Sequence, residues 1–87
     1  MPYSADVHRW LGDHYLSVSE ADLATREFNA LLGLQSDSSA TAYLGMARAA
    51  MLNDDKETAR RQVLYSLESA PFYRPAQRLL LSLSPGE

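Results

Sequence analysis

The chain is similar to itself at an offset of 35 residues. Four of nine aligned pairs are identical, and the others mostly exchange residues of similar size or charge. The pairs are Ala5 with Ala40, Leu11 with Met46, Gly12 with Ala47, Glu20 with Asp55, Asp22 with Glu57, Ala24 with Ala59, Arg26 with Arg61, Phe28 with Val63 and Leu32 with Leu67. A period of this length predicts stacked helical hairpins, each of which buries its apolar face against the next.

Composition is typical of one small globular domain, spanning residues 1–87. The chain has 87 residues, of which 46% are hydrophobic. It has no cysteine, which excludes disulfides, thiol nucleophiles and cysteine-ligated zinc. No run approaches the roughly 20 apolar residues of a membrane span, and no signal peptide opens the chain. We therefore expect no membrane insertion and favour a cytoplasmic location.

Charge is distributed unevenly along the chain. The net charge of −3 argues against general nucleic-acid binding, which needs a basic surface. Residues 1–43 carry a net charge of −4, whereas residues 44–87 carry +1. Seven of the eight basic residues are Arg, which suits bidentate contacts at interfaces, although the high-GC coding of many bacteria gives the same bias.

Helical periodicity extends over every segment longer than a turn, and no segment alternates as a half-buried strand does. The first helix is predicted to start after Ser4 as its N-cap, and the second to start at the capping box Ser19-x-x-Asp22 and stop at Gly33. The first helix carries an apolar stripe formed by Val7, Trp10, Leu11, His14 and Val18.

Three further helices follow a polar loop at residues 35–39. Asp54-x-x-Glu57 is a second capping box, and Pro75 suits the first turn of the fifth helix. Leu81 is apolar on the side of that helix expected to face water. The predicted apolar faces are Ala40, Tyr43, Leu44, Ala47, Ala50 and Met51 on the third helix, Ala59, Val63, Ser66, Leu67 and Ala70 on the fourth, and Ala76, Leu79, Leu80 and Leu83 on the fifth.

Two motifs resemble the tetratricopeptide repeat. That family carries Leu-Gly-x-x-Tyr on the first helix of its hairpin and Ala-x-x-x-Phe on the second. Residues 11–15 and 24–28 match both motifs at the family spacing. The second repeat is weaker, since Ala47, Ala50 and Val63 replace the Gly, Tyr and Phe.

The resemblance implies an all-α fold in which antiparallel helical hairpins stack as a short superhelix of about five helices. Repeat one would cover about 5–36, repeat two about 40–71, and a capping helix about 74–83. Helices would cross closely at the pairs Gly12/Ala24 and Ala47/Ala59. An unrelated helical bundle or another α-α repeat is the alternative.

Nothing in the sequence suggests catalysis. His8 and His14 lie six residues apart on one helix and do not share a face, and no glycine-rich phosphate loop or nucleophile motif is present. His14 lies on the apolar stripe, where we expect a semi-buried imidazole. We therefore expect no enzymatic activity, no metal and no cofactor.

By resemblance, the first helix of each hairpin and the capping helix would line a concave groove. Trp10 fits either this groove or the apolar stripe. The family's clamp on a peptide's terminal carboxylate looks absent, because Asp13, Gly45, Pro75 and Leu79 stand where other clamp groups would be. The side chains placed in the groove are Arg9, Trp10, Asp13, Leu44, Arg48 and Arg78, with Asp6, Thr41 and Met51 beside them.

The predicted function is that of a non-catalytic interaction module, which would act as a scaffold or adaptor and bind a protein or peptide in this groove. The alternative is a structural or self-associating segment of a larger protein or assembly. The uneven charge and the apolar fifth helix favour self-association as a homo-oligomer.

Overall fold

The computed structural model of the protein describes residues 5–34 and 39–83. All regular elements in those two ranges are α-helices, which confirms the predicted all-α fold. Helices adjacent in sequence pack against one another, and α1 also contacts α3. The predicted N-cap Ser4 lies outside the described residues. The helices are α1 (Ala5–Ser17), α2 (Ala21–Leu34), α3 (Ser39–Leu52), α4 (Lys56–Ser69) and α5 (Arg74–Leu83).

The aromatic ring of Phe28 on α2 lies between two glycines of the neighbouring helices. A Cβ atom added to Gly12 on α1 would lie 2.6 Å from Phe28 Cζ, and one added to Gly45 on α3 would lie 2.4 Å from Phe28 Cε2. Both distances are shorter than two non-bonded carbon atoms tolerate. The ring therefore occupies the space that a side chain at Gly12 or Gly45 would need. Phe28 is only 1% exposed as a result.

Two hydrophobic cores share α3. The first core contains Ala21, Ala24, Phe28, Leu31, Ala42, Met46 and Ala49. The second contains Leu44, Ala47, Ala50, Ala59, Val63, Ala76 and Leu83. Seven residues of α3 are buried. The single apolar face predicted for α3 was therefore too narrow, because a helix with neighbours on several sides is buried nearly all round.

The turns after α1 and α3 have the same geometry, 35 residues apart. Ser19 and Asp54 both have a left-handed backbone, with φ of 62° and 58°. In each turn two backbone N–H groups donate back to the last turn of the preceding helix, as in a Schellman motif. The four bonds are Ser19 to Leu16 (3.1 Å), Glu20 to Tyr15 (2.8 Å), Asp54 to Met51 (3.0 Å) and Asp55 to Ala50 (2.9 Å). The internal similarity of the sequence thus corresponds to a repeated turn.

The starts of α2 and α4 were each predicted one residue too early. Asp55, not Asp54, is the N-cap of α4, and its side chain accepts a hydrogen bond from Thr58 N–H at 3.2 Å. Ser19 has the left-handed backbone that ends the preceding turn, so Glu20 directly precedes α2. Helix α2 also continues through Gly33 to Leu34, one residue beyond the predicted stop.

The predicted apolar stripe of α1 is wrong at four of its five positions. Val7, Trp10, His14 and Val18 are exposed, and Leu11 alone among the five is partly buried. The side of α1 turned toward the core has helical spacing through His8, Leu11, Gly12, Tyr15 and Leu16. The apolar residues of the stripe do not lie on the buried side of α1. That side instead carries Gly12 and His8, which is paired with Glu27.

His8 is the half-buried histidine of α1, and the expectation of a semi-buried His14 was wrong. His8 Nδ1 lies 2.7 Å from Glu27 Oε1 on α2, and both side chains are 17% exposed. This hydrogen bond allows an imidazole to lie at the boundary between α1 and α2, because it replaces the hydrogen bonds to water that burial removes.

Helix α5 closes the second core as predicted. Ala76 and Leu83 are buried, Leu79 and Leu80 are partly buried, and Leu81 is exposed. Arg60 on α4 donates a 3.0 Å hydrogen bond from Nη2 to the carbonyl of Leu83, which joins the end of α5 to α4.

The glycine contacts of Phe28 can be tested by Gly45→Ala. We expect a loss of about 1–3 kcal/mol in the free energy of unfolding, because the new methyl group overlaps the ring. Gly33→Ala is the matched control, since a Cβ at Gly33 has nothing within 4 Å. The control should be neutral or stabilising by up to about 1 kcal/mol. Urea denaturation measures both; equal effects would contradict this packing.

The cap of α4 predicts a pH-dependent contribution to stability. Hydrogen bonds from Thr58 lower the pKa of the Asp55 carboxyl below its ordinary value. The stabilisation is present above the unfolded-state pKa and is lost as the pH falls through the folded-state pKa. Asp55→Asn keeps an acceptor but cannot ionise. The stability difference between wild type and Asp55→Asn should change as the pH falls below about 4, as measured by thermal unfolding; a constant difference would contradict the prediction.

Candidate binding groove

A cavity of about 260 Å³ opens between α1, α3 and the segment that precedes α5. Its apolar lining comes from Phe28 and Leu44, which are buried, and from the backbone of Gly45. Because Gly45 has no side chain, the Phe28 ring can pack against α3 in the core, and the backbone of α3 lines the cavity at this position. The lining residues are Arg9, Asp13, Phe28, Thr41, Leu44, Gly45, Arg48 and Tyr73.

Charged groups surround this apolar lining. Arg9 Nη2 donates a 2.6 Å hydrogen bond to Asp6 Oδ1, so a neighbouring carboxylate neutralises part of its charge. Arg48 and Asp13 are both exposed, and neither forms an ion pair with another described residue. The cavity thus has a carboxylate on its α1 side and a guanidinium on its α3 side, both available to a ligand.

A second depression continues from the first toward α5. It has a volume of about 370 Å³ and is lined by Arg48, Pro75, Arg78, Leu79 and Ser82. Arg48 lines both depressions, which therefore adjoin at α3 and together define the candidate groove along α1, α3 and α5. Arg78 has no ion-pair partner within the described ranges, so two guanidiniums face this part of the groove.

Five of the six groove residues named from the sequence lie along this surface. Arg9, Asp13, Leu44 and Arg48 line the first depression, and Arg78 joins them through the second. Leu44 is 3% exposed, so it serves mainly as the floor.

Tyr73 was missed by sequence reasoning. It lies in the connection between α4 and α5, where helical periodicity gives no information. The one available signal was its position two residues before Pro75, the residue predicted to lie in the first turn of α5. A backbone N–H bond from Tyr73 to the carbonyl of Ala70 (3.0 Å) holds this connection in a turn.

Trp10 lines neither depression. Its side chain is 65% exposed, and its ring stacks on His14 with centroids 5.6 Å apart and planes 4° from parallel. The interpretation of Trp10 as a core residue was therefore wrong.

A separate polar cleft of about 250 Å³ lies between α2, α3 and α4. The Oε1 atom of Gln62 is buried in this region and has no hydrogen-bond partner among the described residues. The cleft is lined by Thr25, Asn29, Met46, Ala50, Asn53, Asp55, Thr58 and Gln62.

The described residues contain neither a metal-binding cluster nor a membrane-spanning helix. Within residues 5–34 and 39–83, no three His, Cys, Asp or Glu side chains are grouped closely enough to hold a metal ion. None of the helices in these ranges has the length and hydrophobicity needed to cross a bilayer.

No protein-family model matches this chain, and neither curated proteins nor solved structures provide a significant match. The tetratricopeptide resemblance therefore depends on the sequence motifs alone and stays a prediction.

The position of Trp10 can be tested by fluorescence, because it is the one tryptophan of the chain. We expect an emission maximum close to that of free tryptophan in water and efficient quenching by acrylamide, measured on dilute protein. The unfolded chain in urea is the reference for full exposure. A blue-shifted, poorly quenched emission in dilute folded protein would show that Trp10 is buried.

Proposed function

We propose that this protein is a non-catalytic interaction module that binds an extended peptide segment of a partner protein in the groove along α1, α3 and α5. The proposal is carried by one observation. Arg48 and Arg78 form no ion pair with another described residue, and they lie beside an apolar floor formed by Phe28 and Leu44. Arginine beside desolvated apolar surface is common among residues that dominate binding energy.

The arrangement of charge favours one class of peptide. A carboxylate on the peptide can accept two hydrogen bonds from a single guanidinium, which is stronger than a contact between neutral groups. An apolar side chain can fill the 260 Å³ cavity above Phe28 and Leu44. The free carboxylate of Asp13 lies on the α1 side. We therefore expect acidic groups of the peptide at α3 and α5, and its basic or amino end near α1.

The size of the groove limits the affinity. Three helices line it, so a bound peptide makes few contacts and loses much of its conformational freedom. We expect dissociation constants on the order of micromolar. The sequence resemblance to tetratricopeptide repeats supports the same mode of binding.

The proposal is tested by selecting binders from a random peptide display library and measuring their affinities by isothermal titration calorimetry. We expect selected peptides to combine an acidic residue with a nearby apolar one. Arg48→Glu should weaken binding at least about tenfold, because it places a carboxylate opposite the peptide's own. Gln in place of the peptide's acidic residue should have a similar effect.

Arg26→Glu is the matched control. It makes the same charge change on an exposed residue of α2 that lines neither depression of the groove, so affinity should stay close to that of wild type. Far-UV circular dichroism checks that both variants remain folded. Failure to select any peptide, or binding that survives Arg48→Glu, would contradict the groove as the binding surface.

A further inference from the structure

Among the described residues, α1 and α5 are the first and last helices of the packed series, and each turns one face to solvent. On α1, the exposed residues Asp6, Trp10 and Asp13 follow helical spacing, and His14 stacks on the Trp10 ring. This outer α1 face carries a 65% exposed indole next to carboxylates. The same stacking keeps the indole in one orientation, which reduces the entropy lost when a partner covers it.

The solvent face of α5 has the complementary character. Arg74, Gln77, Arg78 and Leu81 have i, i+3, i+4, i+7 spacing and are all exposed. Leu81 is 75% exposed at the end of this outer α5 face. Helix α5 contains two arginines and no acidic residue, whereas α1 contains two aspartates and one arginine.

We propose that the outer α1 face of one copy of this chain binds the outer α5 face of a second copy. In this contact Trp10 packs on Leu81, and Arg74 lies against the indole face or the Asp6 carboxylate. A guanidinium over an indole and an arginine–carboxylate pair are both favourable when partly desolvated. The central residues of this contact, Trp10, Leu81 and Arg74, line neither depression of the groove, although Asp13 and Arg78 at the edges of the two faces do.

Charge selects this pairing over the two symmetric ones. Asp6 is paired with Arg9 on the same helix, so two α1 faces in contact would bring the unpaired Asp13 carboxylates together, and two α5 faces would bring arginines together. Both arrangements place like charges across the interface, which is unfavourable. The remaining contact joins different surfaces of the two copies, so one copy of the pair keeps a free α5 face and the other keeps a free α1 face.

Such a contact does not close on itself, so association should increase with concentration without a fixed final size. One helix face on each side forms a small interface, and such interfaces are weak and transient. We therefore expect a monomer at low concentration and short linear oligomers at high concentration. Trp10 emission should shift to the blue as the oligomers form, because association removes water from the indole.

The test uses one variant for each face, with sedimentation velocity over a range of concentrations. Trp10→Lys removes the aromatic anchor of α1 and places a cation opposite Arg74. Leu81→Lys places a charge in the apolar part of the α5 face. Each variant alone should show an association constant at least tenfold below that of wild type. Leu52→Lys is the control, because it makes the same change at a 44% exposed leucine outside both faces.

An equimolar mixture of the two variants gives the decisive measurement. The Leu81→Lys chain keeps its α1 face and the Trp10→Lys chain keeps its α5 face, so the mixture should form one-to-one dimers and nothing larger. Arg48→Glu should associate as wild type does, which separates this result from the groove proposal.

Four results would overturn the inference. The wild-type chain could remain monomeric at every concentration, or both variants could associate as wild type does. One variant alone could still dimerise, which would indicate a symmetric contact. The mixture could remain monomeric or form larger species, which would show that the two faces do not bind each other.

Discussion

The contact of the Phe28 ring with Gly12 and Gly45 is the interaction on which the rest of the structure depends. It sets how closely α1 and α3 approach α2, because no side chain separates the ring from either backbone. The same contact places Phe28 beneath the groove, since no side chain at Gly45 lies between the buried ring and the cavity. Gly45 thus determines both how closely α3 approaches α2 and the shape of the candidate binding surface.

Helix α3 connects the core around Phe28 with the second core, which contains residues of α4 and α5. It contributes to both hydrophobic cores, and its few exposed positions include Arg48. A buried hydrogen bond reinforces its position, because Ser66 Oγ on α4 donates to the carbonyl of Ala40 at 2.8 Å. The groove therefore presents Arg48 on the helix that contributes to both hydrophobic cores.

The outer faces of α1 and α5 differ from the groove in having no neighbouring helix within the described chain. Their exposed apolar side chains cost free energy in water unless another molecule covers them. Trp10 illustrates the difficulty for sequence reasoning. Its spacing with Val7, Leu11 and His14 is typical of a buried stripe, yet the side of α1 that faces the core includes His8, paired with Glu27.

The sequence by itself determined the five helices, the 35-residue repetition and the buried faces of α4 and α5, because these follow from local periodicity. The candidate groove residues came instead from the resemblance to tetratricopeptide repeats, and five of the six lie along the two depressions. It did not determine which face of α1 is buried, the residue that caps α4, the role of Gly45 or the place of Tyr73 in the groove. Those depend on contacts between residues distant in the chain. A histidine is stable on the half-buried side of a helix only when a carboxylate on another helix reaches it, and a glycine becomes a packing site only when an aromatic ring fills the space beside it.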